Sequence, residues 1–155
     1  MLKRFLFLVL LGGGAILVQA GSHPIIFDDD VQLKLLHEDL DTVARCIEQI
    51  HQINTAAEKN LPQLVRWIAV REEYVDKAQE IISGYFLALR LKPKTSGENG
   101  YDKYLYQLTV LHQLLVAVGK MRQNNSPDAV ADLKVLLKQF EDSYFSGGQG
   151  SLPQP

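Results

Sequence analysis

Between Val31 and Lys59, Leu36, Leu40, Val43, Ile47 and Ile50 recur at intervals of four, three, four and three residues. That period draws one apolar stripe along a helix and leaves no alternation that a strand could use. Asp28-Asp29-Asp30 sets acidic and capping side chains where such a helix starts, beside its unpaired N–H groups.

Three further blocks carry the same signal. Pro62 suits a first helical turn, which places a tight turn near Asn60-Leu61. The second block runs to Leu91 with Leu61, Leu64, Ile68, Val75, Ala78, Ile82, Tyr85 and Leu89 facing inward and Arg71 in the remaining slot. Trp67, Val70, Tyr74 and Ile81 form a neighbouring stripe. Pro93 ends the helix, and 92–100 is rich in turn formers. A third helix spans Tyr101 to Arg122 with Tyr104, Leu105, Leu108, Leu111, Leu115 and Val118 inward. Ser126-Pro127-Asp128 reads as a helix start, and Val130, Leu133, Leu137, Phe140 and Tyr144 line a fourth helix to Phe145. The fold class that follows is all-α. It is an up-down-up-down four-helix bundle whose first hairpin is longer than its second.

The bundle domain is expected over 31–145, after an extended lead-in at 21–30 and before a flexible Gly/Pro/Gln-rich tail at 146–155. Residues 1–20 have a secretory layout. Lys3 and Arg4 precede an uncharged run from Phe5 to Val18, and Val18-Gln19-Ala20 offers a small-x-small cut site. The run of 14 residues is short against the about 20 a membrane span needs. The expected destination is therefore periplasmic or secreted, with a retained inner-membrane anchor as the alternative.

Cleavage would remove two cations and no acid, taking the net charge from −2 to −4. A mildly acidic chain with mixed signs has no nucleic-acid footprint, so nucleic acid is excluded as a partner. Cys46 is the single cysteine, and an internal disulfide is impossible. It is expected as a small buried hydrophobe, with an intermolecular bridge or a reactive thiol as the alternative.

Motifs for chemistry are sparse. Glu48-Gln49-Ile50-His51 matches the Glu-x-x-His of carboxylate-bridged di-iron bundles, but no second copy exists to complete such a site. His23 and His37 lack partners at metal-ligand spacing, neither Met1 nor Met121 lies on the first helix to complete a haem-type Met/His pair across the bundle, and no phosphate loop or nucleophile elbow occurs. No metal and no cofactor is expected. Tyr101, Tyr104 and Tyr106, with Tyr85 and Phe86, gather aromatic side chains at one end, where core and rim outweigh a ligand site.

Two polar residues fall in core-facing slots. Asp39 and His112 come out roughly 14 and 17 Å from the same end at helical rise, which suggests a buried hydrogen-bonded pair. Arg71 lies near where the shorter hairpin runs out. With Leu64, Arg66, Trp67, Val70 and Tyr74 it composes a candidate partner-binding patch; self-association and ordinary core are the alternatives. The functional expectation is an exported, non-enzymatic helical protein acting by contact with another protein, of inhibitor, immunity or envelope-subunit type, or as a homodimer. A small-ligand or metal carrier using the bundle interior, and a membrane-tethered scaffold if 1–20 are retained, are the alternatives.

Overall fold

A computed structural model describes residues 28–146 apart from Asn125 and Pro127. The leader at 1–20, most of the lead-in, Pro127 of the expected fourth-helix start and nearly all of the tail lie outside the described residues.

Four helical rods form an all-α bundle, and no strand appears among the described residues. Helix α1 (Asp29–Thr55) starts two residues earlier than the apolar stripe requires. The Asp28 side chain caps it by accepting the Val31 N–H at 3.0 Å, so Asp29 and Asp30 belong to the helix, not to an extended lead-in. Helix α2 (Leu61–Glu80) is capped in the same manner, Asn60 accepting the Gln63 N–H at 3.1 Å. The second hairpin is shorter, built from α3 (Tyr101–Lys120) and α4 (Asp128–Phe145). No described helix is long and apolar enough to cross a membrane.

The α1 stripe is buried as read: Leu36, Leu40, Val43, Ile47 and Ile50 all lose their solvent contact. So is that of α4, where Leu133, Leu137, Phe140 and Tyr144 enter the core. Two departures from the sequence pattern matter for function.

The first is in the second rod. From Ile81 to Arg90 the backbone widens into a π-helix, here π1, continuous with α2. The Leu91 N–H donates to the Phe86 carbonyl at 2.8 Å, five residues back. A π turn inserts one residue per turn and rotates everything after it. The core positions therefore become Ile82, Phe86 and Leu91, the last step being five, while Leu89 turns outward and Tyr85 is only half-buried.

The second is in α3. Its buried residues are Gln107, Val110, Leu111, Leu114 and Val118. The helix is rolled by about one residue relative to the expected face, leaving Leu105 exposed and Tyr104, Leu108 and Leu115 half-buried. Leucines and valines occupy more than half of its circumference, so the pattern alone admits two orientations. The observed one accepts a buried Gln107, whose Nε2 donates to the Ser143 carbonyl at 3.1 Å.

Candidate functional site

A groove of about 950 Å³ runs along the outer seam of α1 with α2 and π1. Asp39 and Thr42 of α1 face Tyr74 and Lys77 of α2 across it, and Tyr85 of π1 closes one end. Gly84 of π1 lines the groove without a side chain.

Asp39 is the unusual residue of this groove. It is 8% exposed, and no side chain donates a hydrogen bond to its carboxylate among the described residues. Burial pushes its carboxyl upward, more than the nearby Lys77 charge pulls it back. Lys77 itself is held by Glu73 at 2.7 Å and lies 4.2 Å from the Tyr74 ring centroid. The groove thus offers one carboxyl able to keep a proton above the ordinary aspartate range, beside an ammonium and a phenol.

At the end of the groove the first turn of α1 is tied to both later rods. Asp29 Oδ1 accepts the Tyr85 hydroxyl at 2.6 Å. Its Oδ2 accepts Arg90 at 2.7 Å and the Tyr144 hydroxyl at 2.8 Å. Arg90 Nε also donates to the Tyr144 oxygen at 3.2 Å. Burial alone would raise the Asp29 carboxyl, but the donors from Arg90, Tyr85 and Tyr144 outweigh it and hold the group below its usual value. The phenols shift in the opposite direction: burial and the adjacent carboxylate push Tyr144 up to about 12, and Tyr85 higher still. Neither tyrosine is a proton source at neutral pH.

The expected site residues are scattered by these same packing decisions. His112 is exposed on α3, because the roll of that helix turns it away from the core, so the Asp39–His112 pair does not form. Arg71 does enter the bundle, 4% exposed, where it donates to the Arg122 carbonyl and, at 2.9 Å, to Glu72. Arg122 in turn holds Glu72 at 2.8 Å and also pairs with Asp76. The end of α3 therefore closes over Arg71, which lies in the core. Leu64, Trp67, Val70 and Tyr74 are half-buried and Arg66 is exposed. Glu48 and His51 are both exposed, and Glu48 accepts Gln52 Nε2 at 2.7 Å. His37 meets Glu141 of α4 at 2.5 Å. Sequence reasoning does not find the Asp29 network; its one signal is the triple aspartate, which by pattern speaks only of capping.

The family that matches this helical chain is one of metal-containing redox enzymes. Residues 24–147 match the family of nickel-containing superoxide dismutases, and the chain belongs to it. This overturns the expectation of a non-enzymatic protein that works by contact alone: the family is one of oxidoreductases that carry a metal. No individual curated protein and no solved structure matches the chain.

The residues present do not answer to the metal that the family implies. Among the described residues no three of His, Cys, Asp and Glu converge as a metal site. Cys46 is fully buried in α1, and burial pushes its thiol up, so it presents no thiolate. Residues 1–27 contain a single histidine, His23, with no cysteine, aspartate or glutamate, and residues 147–155 contain none of the four. Nickel(II) takes several nitrogen, oxygen or sulfur donors in one coordination sphere. The side chains among the described residues do not fit that demand.

Proposed function

We propose that the protein is an oxidoreductase of the superoxide dismutase class, working on superoxide as the family's name states. The observation that supports this reading is the match over residues 24–147, which runs through all four helical rods. The reaction of the class takes two superoxide anions and two protons to dioxygen and hydrogen peroxide. Nickel is given no step in this reading, because the donor set does not fit it. What the chain's own residues add is the groove, with a carboxyl at Asp39 that burial inclines to hold a proton. On the leader pattern of residues 1–20 we further propose that the protein works outside the cytosol.

The reading is tested on the full chain expressed with its leader in nickel-supplemented cells. The secreted product is assayed for superoxide decay and for bound metal by elemental analysis. Superoxide decay faster than buffer and than any free metal in the sample is the expected result. Superoxide decay no faster than buffer, across nickel and the other first-row metals, removes the assignment. Intact mass of the same sample reports whether Met1 to Ala20 have been cut.

A further inference from the structure

Next to Arg90 and Tyr144 of the Asp29 network a smaller cavity of about 280 Å³ opens. It lies between the end of π1, the 91–100 loop, the first turns of α3 and the end of α4. Arg90, Lys92, Lys94 and Lys103 line it, and no carboxylate does. Asp29 neutralises Arg90 at 2.7 Å from behind. The three lysines form no ion pair among the described residues, although Glu98 feels the Lys94 charge from outside the cavity. Three positive charges therefore converge on a small space without internal neutralisation.

The local backbone arranges them. Lys94 Nζ donates to the Asn99 carbonyl at 2.7 Å, and Lys103 Nζ reaches the Tyr144 carbonyl at 3.5 Å. Each ammonium has three N–H groups, so both keep donors for a ligand. Gly100 sits at φ +79°, and a Cβ there would lie 3.6 Å from Lys94 Cε. Its glycine allows the αL turn, and the lysine stem packs at ordinary contact distance. α3 follows this glycine with no side-chain cap; the Tyr101 N–H donates to the Glu98 carbonyl at 3.1 Å and Asp102 stands in the same turn, so the positive field comes from the lysines.

We propose that this cavity is a binding site for a small oxoanion of phosphate chemistry, either free phosphate or the phosphoryl group of a monoester. Convergent cations without a carboxylate favour a multiply charged anion, and ammonium groups bind phosphate as point charges. A volume under the usual range for drug-sized ligands, about 300–1,000 Å³, selects for size. Such a site would stand whether or not the protein acts on superoxide.

The test is a titration of the isotope-labelled full chain with inorganic phosphate at constant ionic strength, followed through the backbone amides of Asp102, Lys103 and Tyr104. Saturable shifts are expected, and K94Q/K103Q should weaken the apparent affinity at least tenfold while keeping the thermal midpoint. A parallel titration with phenyl phosphate separates the two sources; saturation by the ester alone assigns the site to a phosphoryl group carried on a larger molecule. Shifts that grow linearly with either ligand and match those from chloride overturn the proposal. So does saturable binding unchanged in K94Q/K103Q. If that double variant loses its fold, K103Q alone, at the half-exposed edge of α3, carries the same comparison.

Discussion

Asp29 and Asp39 stand ten residues apart on one helix, both shielded from water, and the structure treats them in opposite ways. Asp29 is met by three donors from two other rods, and its charge is stabilised. Asp39 is desolvated by the α1–α2 seam and receives no such donors, so its charge is penalised. Burial is common to both; only the number of hydrogen bonds separates a staple from a strained carboxylate. The Asp29 end is also where the aromatic core concentrates. Phe86 sits edge-on to Phe140 at 5.0 Å and to Tyr144 at 5.8 Å, directly beneath the polar network.

The hardest blow to this contrast is Phe86→Ala, which removes the ring on which that end rests. A loss of about 3–5 kcal/mol is expected, as for a fully buried phenylalanine with no neighbour able to refill the space. Urea denaturation monitored by circular dichroism measures it. A loss under about 1 kcal/mol would mean that the aromatic cluster does not carry that end of the bundle.

Next in size is Asp29→Asn, which should cost about 1–3 kcal/mol at neutral pH by weakening the bonds from Arg90, Tyr85 and Tyr144. The pH dependence has a definite sign. The folded Asp29 pKa lies below its ordinary 3.8, so its contribution is complete above 3.8 and is lost as pH falls through the folded value. The variant should converge on the wild type in strong acid. Urea midpoints from strong acid to neutral pH test this, and a constant gap across that range would refute the role given to the charge.

The smallest effect is expected at Asp39→Asn and runs the other way. The folded pKa of Asp39 is raised, so the wild type loses stability as pH rises from 3.8 through the folded value. The amide should be neutral to stabilising above that window, by under about 1 kcal/mol, and without advantage below it. The same urea series reads this variant. If Asp39→Asn destabilises as Asp29→Asn does, the groove carboxylate has a hydrogen-bond donor of its own and the two aspartates are alike.

Parts of this arrangement are written plainly in the chain. The 4-3-4-3 spacing of Leu36 to Ile50 and the run from Leu133 to Tyr144 each specify one buried face, because only one face of those helices is apolar. Asp28 and Asn60 specify helix starts through an oxygen placed three residues before an open N–H. The α3 face was not legible. Leu105, Leu108 and Leu115 compete with Val110 and Leu114, and the choice between them decides whether His112 is core or surface. The candidate site was less legible still. Arg90 and Tyr144 come within hydrogen-bond reach of Asp29 across 61 and 115 residues, a separation no local pattern encodes.

What the amino-acid order determined by itself was the class: four amphipathic rods with their starts and loops, since helix period and capping act over three or four residues. The tertiary structure alone decided how those rods are rolled, where π1 inserts its extra residue, and which charges meet. Those outcomes depend on side chains brought together from distant segments, where the free energy of fitting one apolar face against another overrides any local preference. Nor does helix period govern the metal. Residues 24–147 match the family, while the side chains among the described residues leave nickel without a matching set of donors.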